Sequence, residues 1–278
     1  MTARIRVSVA HSPDADDAFM FYGVACGAAS DDGLEIVNEQ TDIESLNLRA
    51  ERGDLDVTAI SFGAWPHFAD HYDLLSVGSS FGLGYGPKLV SREPLAMGDV
   101  RSRVIAIPGE WTTAALALRM MLPGCATRCV QFDQIPAAIR DGAVDAGVVI
   151  HESQLSYARE GLHLVADLGE WWMGETGLPL PLGGNAVRRS LDADVTRRVA
   201  SVLRRSIEHA LAHRADALTH ALRYGRGLDT EEGGRYVALY VNELTLDPGT
   251  QGRAAVAELY RRGARAGLIA EVSARWAP

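Results

Sequence analysis

Short runs of β-type residues alternate with helix-patterned runs over the first two-thirds of the chain, and few folds accommodate that order. Strands are expected at 5–10, 34–39, 56–60, 74–77, 89–91, 104–107, 129–132, 146–150 and 162–165. Helical runs between them fall at 17–28, 43–52, 113–122, 134–140 and 153–160. Strands linked by helical crossovers form parallel sheets with helices on both faces, so the pattern predicts an α/β fold. After "PLPLGGN" the alternation stops. Residues 193–213, 216–223, 230–241 and 251–266 all read as amphipathic helices with arginine and glutamate on their exposed sides.

Two stretches repeat one design. "ERGDLDVTAIS" (51–61) and "IRDGAVDAGVVIH" (139–151) both run from a helix through glycine and aspartate into an apolar strand that ends on a polar residue. The spacing slips by one, because Ser61 lies five past Asp56 whereas His151 lies six past Asp145. A chain of 278 residues is long enough for two lobes, each with its own core. In open α/β sheets the ligand crevice lies beyond the carboxyl ends of the strands. Ser61 and His151 are therefore expected to face one cleft from opposite lobes. The segments "GLGYGPKLV" (82–90) and "GLPLPLGGN" (177–185) are the expected crossings, since prolines stiffen a connection and glycines permit unusual backbone angles. This division gives a large discontinuous lobe of residues 1–88 and 187–278, and a small lobe of residues 89–186.

A formal net charge of −9 with no basic stripe argues against nucleic acid or an anionic membrane surface as partner. The opening "MTARIRVSVAHSP" has too short an apolar run for a signal peptide, and no later stretch suits a bilayer span, so a cytoplasmic protein is expected. Cys26, Cys125 and Cys129 have no paired-motif spacing, and the last two are expected to be buried or half-buried thiols. Lys88 is the sole lysine.

The loop in "HSPDADDAFMFYG" (11–23) crowds Asp14, Asp16 and Asp17 where a strand hands over to a helix. A hard-cation site needs more oxygen ligands than the neighbours supply. A carboxylate capping the helix is favoured, with one free to bind a ligand hydroxyl at the crevice mouth. The glycines at 82, 84 and 86 lead into Pro87 and a strand, which fits a hinge and not a nucleotide loop. In "IPGEWTTAALALRMM" (107–121), Thr112 and Thr113 open an alanine- and leucine-rich helix. They either cap it or, with its free N–H groups, seat a carboxylate or phosphate. His67/His71 and His209/His213 sit one helical turn apart but lack the glutamate of the metalloprotease motif, and they are read as solvated faces with no metal.

His151 gives the sharpest signal. It follows an apolar strand directly, at the expected cleft, and an imidazole titrating near neutrality there is suited to general-base work. No serine or cysteine sits in a recognisable nucleophile setting, so covalent hydrolysis has no support. Trp171 and Trp172 either wall the cleft or pack the lobes together.

Taken in order, "SPDADDAFMFY", "DIESLNLRAERGDLDVTAISFGAW", "GYGPKLVSREPL", "TTAALAL", "VVIHESQLSY" and "GEWWMGETGLPLPLGGNAV" resemble the 1,4-dihydroxy-6-naphthoate synthase family. The resemblance covers most of the chain. It implies a two-lobed fold of the type II periplasmic-binding-protein kind with the ligand cleft between the lobes. It also implies a cofactor-independent carbon–carbon lyase of the futalosine route to menaquinone. Such an enzyme converts cyclic dehypoxanthine futalosine to 1,4-dihydroxy-6-naphthoate with loss of a three-carbon fragment. The proton-accepting histidine falls on His151, and substrate contacts fall on Ala59, Ile60, Ser61, Thr112 and Thr113. The family often shows Ser-Pro-Cys-Pro-Asn-Asp where this chain has Ser12-Pro13-Asp14-Ala15-Asp16-Asp17, which leaves Asp17 as the expected cap and pocket-rim residue. The rival readings are a non-enzymatic solute-binding protein, which normally carries an export signal or lipidated cysteine, and the related chorismate dehydratase. Oligomeric state is left open.

Overall fold

The computed structural model describes residues 4–278, and two mixed sheets organise them. The larger contains β1 (Ile5–His11), β2 (Leu34–Gln40), β3 (Val57–Ser61), β4 (Tyr72–Leu75) and β5 (Ser80–Gly82), with β11 (Leu180–Arg188) and β12 (Trp276–Ala277). The smaller contains β6 (Lys88–Ser91), β7 (Val104–Ile107), β8 (Ala126–Cys129), β9 (Ala146–Val149) and β10 (His163–Asp167). Helices α1 (Ala15–Met20), α2 (Tyr22–Ala25) and α3 (Ile43–Arg52) belong to the larger half. The smaller half carries α4 (Met97–Val100), α5 (Thr113–Met121), α6 (Ile135–Arg140), α7 (Ser153–Ser156) and α8 (Leu168–Thr176). The run of α9 (Ala193–Ala212), α10 (Arg214–Ala221), α11 (Thr230–Tyr240), α12 (Glu243–Leu246) and α13 (Gly249–Arg265) returns to the larger half.

The expected parallel character holds for one run of neighbouring strands in each sheet, reaching an edge at β2 and at β8, and for the edge pair β12–β4. β2–β1–β3 and β8–β7–β9 are parallel, as helical crossovers require. β11 runs antiparallel to β3, β4 and β5, and β6 runs antiparallel to β9 and β10. These two strands enter from the other half through short crossings, with no helix to turn the chain around. The second crossing differs from expectation. Residues 180–185 are not a linker but the first part of β11, whose Gly183–Val187 pairs with β3, so the expected boundary at 186/187 falls inside a strand of the larger sheet. A side chain at 183 would meet the Ile60 carbonyl at 2.9 Å, which is why a strand here carries glycine. The first crossing is equally tight: a Cβ at Gly82 or at Gly169 would fall on the Tyr85 carbonyl.

Two further elements depart from the sequence reading. β8 lies at 126–129, not 129–132, because Phe132–Gln134 forms a single 3₁₀ turn. The tryptophan segment is helical: Asp167 caps α8 by accepting from Gly169 and Glu170 N–H, and Gly177 ends it at φ 67°. Lys88 pairs with that same Asp167. In α9, Val195, Val199, Val202, Ser206 and Ala210 recur at three- and four-residue steps and bury one face. Ser206 meets the short helix α2, with its hydroxyl donating to the Met20 carbonyl (2.7 Å) and accepting from Val24 N–H (3.1 Å). No helix among the described residues is long and apolar enough to cross a membrane.

Candidate active site

The carboxyl ends of β1, β3, β7 and β9 converge on one cleft, as the topology of open α/β sheets dictates. Its volume is about 750 Å³, including the part open to solvent. Ala59, Ile60, Ser61, Thr112, Thr113 and His151 all line it, and so does Asp17. Ser61 and His151 thus face the same space from opposite sheets.

Beyond β1 the chain turns through Pro13 into α1. Asp14, not Asp17, is the N-cap residue, and its carboxylate accepts from Asp17 N–H at 3.3 Å. The helix begins at Ala15, so Asp17 sits one turn in and its carboxylate folds back to accept from Ser12 N–H at 2.8 Å. Asp16 lies between them and accepts from the Tyr236 hydroxyl at 3.0 Å.

His151 follows β9 in the left-handed region, at φ 52°, a placement that costs about 1 kcal/mol or more for a non-glycine residue. The turn aims the ring across the cleft. Nδ1 lies 2.9 Å from Asp14 Oδ2, while Nε2 is buried and has no partner among the described residues. The edge of the ring meets Phe132, with centroids 4.9 Å apart. The neighbouring Glu152 is held by Arg226, whose guanidinium also covers Phe132.

These groups polarise one another. Burial works against a charged His151, but the charge and hydrogen bond of Asp14, joined by Glu152, carry its pKa above the ordinary value. Burial likewise opposes ionisation of Asp14, yet the imidazole's charge and its hydrogen bond outweigh this and depress the carboxyl below its usual range. Asp16 is pushed well upward by burial and by the charges of Asp14 and Asp17. Asp17 moves the same way, through burial and Asp14. The imidazole thus favours ionisation of Asp14, while burial and the charge of Asp14 oppose it at Asp16 and Asp17.

On the opposite wall the hydroxyls are already engaged. Thr112 caps α5, accepting from Ala115 N–H while donating to the Gly109 carbonyl. Thr113 donates to the Leu182 carbonyl (2.7 Å) and accepts from Gly63 N–H (2.9 Å), which pins α5 to the larger sheet. The N–H groups of Thr113 and Ala114 have no acceptor among the described residues, and they, not the hydroxyls, are the free donors of this wall. Ser61 is held by Asn47, which accepts from its N–H (2.9 Å) and lies 3.3 Å from its hydroxyl.

Several residues of the cleft were not anticipated. Tyr236 and Tyr240 reach it from α11, and Tyr240 donates to Gln154 Oε1 across the gap at 2.7 Å. Their one-turn spacing on an amphipathic helix was the available signal. Asp14, Asp16 and His151 each bring a donor atom within 4.8 Å of the others, a metal-sized grouping, but the imidazole and Asp14 are bonded directly to each other. His67 stacks on Trp111, His209 on His213, and neither tryptophan of the 171–172 pair lines the cleft. Cys125 is half-buried, but Cys129 is exposed beside Glu110, contrary to expectation, because β8 is an edge strand.

Two sheets meeting over a cleft define the two-lobed periplasmic-binding-protein fold. The alkanesulfonate-binding protein SsuA of Xanthomonas axonopodis pv. citri, solved with MOPS, superposes with a TM-score of 0.72 at 14% identity, covering 97% of this chain and 96% of that one. A crystal structure of a protein from Archaeoglobus fulgidus superposes with a TM-score of 0.92 at 41% identity, over 95% of this chain and 98% of that one. Residues 7–265 match the family described as menaquinone biosynthesis, and the chain belongs to that family. Relatives named 1,4-dihydroxy-6-naphthoate synthase are 38% identical in Streptomyces coelicolor and 40% identical in Thermus thermophilus. The first alignment covers 95% of this chain and 94% of the relative, the second 93% and 94%.

Proposed function

We propose that this protein is a carbon–carbon lyase that converts cyclic dehypoxanthine futalosine to 1,4-dihydroxy-6-naphthoate, with His151 as general base. The observation that carries this reading is His151 in the cleft wall, with its Nδ1 tied to Asp14 and its buried Nε2 unpartnered among the described residues. An imidazole fixed in this way holds its proton on Nδ1 and offers a lone pair at Nε2. The free N–H groups at the start of α5 suit a carboxylate or other anionic oxygen of the substrate. Ser61, set by Asn47, suits a substrate hydroxyl. Proton removal at His151 initiates cleavage, aromatisation of the larger product supplies the driving force, and the protein contributes orientation and one base. We read Asp17 as shaping the pocket rim. The chemistry assigned here calls for no cofactor or metal.

Incubation with cyclic dehypoxanthine futalosine and, in parallel, chorismate tests the reading. Formation of the naphthoate from the first alone is expected. A solute-binding protein would leave both unchanged, and a chorismate dehydratase would consume only the second.

A further inference from the structure

We propose that Asp16 is the proton donor of this cleft and that it closes a relay, through Asp14, with the base His151. The inference rests on the functional reading above and adds a second chemical role peculiar to this chain, since the family pattern carries cysteine and asparagine where Asp14 and Asp16 stand. Three facts of geometry carry it. His151 Nδ1 lies 2.9 Å from Asp14 Oδ2, and Asp14, Asp16 and His151 bring one polar atom each within 4.8 Å of the others, which sets Asp16 beside the bonded pair. Asp16 also lines the cleft, unlike a carboxyl serving only the fold. Its Oδ1 is occupied by the Tyr236 hydroxyl at 3.0 Å, which leaves Oδ2 to carry a proton.

The groups that face Asp16 fit this role. Asp14 and Asp17 flank it on its own segment, His151 approaches from the β9 end, and Tyr236 and Tyr240 cover it from α11. Glu152 stands beyond them, held by Arg226. Among the described residues no cation forms an ion pair with Asp16, whereas Asp14 pairs with the imidazole. A carboxyl so placed keeps its proton at neutral pH, consistent with the upward displacement described above.

The step balances without water or cofactor. Nε2 of His151 accepts a proton from the substrate, and the electron pair it leaves forms a π bond as the carbon–carbon bond breaks. The pair of the broken bond forms a second π bond in the departing fragment and displaces the pair of an adjoining carbonyl onto its oxygen, where Asp16 delivers its proton. Asp14 takes a proton from Nδ1 and passes one to Asp16, so the site ends with its original proton count. The imidazole is left as its other tautomer, and exchange with solvent after the cleft opens resets it.

The test uses the full chain. In the substrate-free protein labelled with ¹³C at aspartate carboxyls, the resonance assigned to Asp16 by its loss in Asp16→Asn should report a neutral carboxyl at pH 7. An ionised one overturns the proposal, whatever the protein catalyses. In kinetics, Asp16→Asn should lower kcat by about 10²-fold or more, the usual worth of a general acid, with a smaller change in KM. The wild-type fall in rate at alkaline pH should vanish in that variant. A wild type active on the futalosine derivative, with Asp16→Asn equally active and equally pH-dependent, overturns the relay alone. A wild type that leaves the compound unchanged refutes the functional reading together with the relay. Activity abolished by a chelator and restored by a divalent cation would make these carboxylates ligands and also overturn it.

Discussion

Arg226 joins the two halves at the rim of the cleft, and its replacement by alanine tests whether that join governs substrate affinity. Nη1 donates to both oxygens of Glu152 at 3.1 Å, and Nη2 donates to the Pro13 carbonyl at 2.9 Å. The guanidinium lies 4.7 Å from the centroid of the Phe132 ring. The Glu152 side chain is 7% exposed and that of Arg226 is 33% exposed. Removing one partner of a fully buried pair costs about 3–5 kcal/mol. Water reaching the guanidinium reduces this, and about 2 kcal/mol is a fair figure for a pair one-third exposed on one side. At about 1.4 kcal/mol per decade, the closed arrangement loses roughly 30-fold in population relative to an open one. If substrate binds the closed form alone, KM rises by up to that factor. The value of kcat, set by His151 once the cleft is closed, should change little. Steady-state kinetics of Arg226→Ala, paired with small-angle scattering of the free protein, reads both effects. An unchanged KM and an unchanged scattering profile would refute the reasoning.

Two other substitutions probe neighbouring parts of the structure. Asp14→Asn removes the charge that raises His151, so the rising limb of the pH–rate profile should move to lower pH as kcat/KM falls, and a limb that stays in place contradicts the pairing. The same pair contributes stability with a defined window. Asp14's share, from a depressed pKa, is lost as pH falls below about 3.9, while that of His151, from a raised one, fades as pH climbs past about 6.5. The melting temperatures of wild type and Asp14→Asn should therefore differ most between about pH 4 and 6.5, as calorimetry across pH will show. Gly23→Ala places a methyl 2.6 Å from the Ser206 Cα, where α2 meets α9. Overpacking of this kind costs about 1–3 kcal/mol, so Tm should drop by several degrees, and an unchanged Tm would contradict the close approach.

Sequence pattern located β1, β2, β3, β7 and β9 within one or two residues, because short β-type runs bounded by turn residues mark strands, whether buried on both faces like β3 and β9 or partly exposed like β2. It failed on β11, whose proline and paired glycines read as a linker. Gly183 serves close backbone approach to β3 and Gly184 makes room for the Phe62 ring, a distinction from flexibility that only the folded neighbours reveal. It slipped on β8, an exposed edge strand with little apolar signal. In the site, His151, Ser61 and the threonine pair were legible because strand ends in such sheets face ligands. The bond between His151 and Asp14 was not, since nothing local to either residue announces a partner in the other half. Of the two readings given for the threonines, capping accounts for the Thr112 hydroxyl and the tie to β11 for that of Thr113, which leaves the N–H groups at the start of α5 as the donors that remain.

Turnover by His151→Ala, measured beside its affinity for substrate by calorimetry, tests the central claim most directly. The loss of a general base predicts a fall of about 10²- to 10⁴-fold in kcat with binding largely retained. A variant that turns over substrate at close to the wild-type rate would leave the cleft without the base on which this account stands.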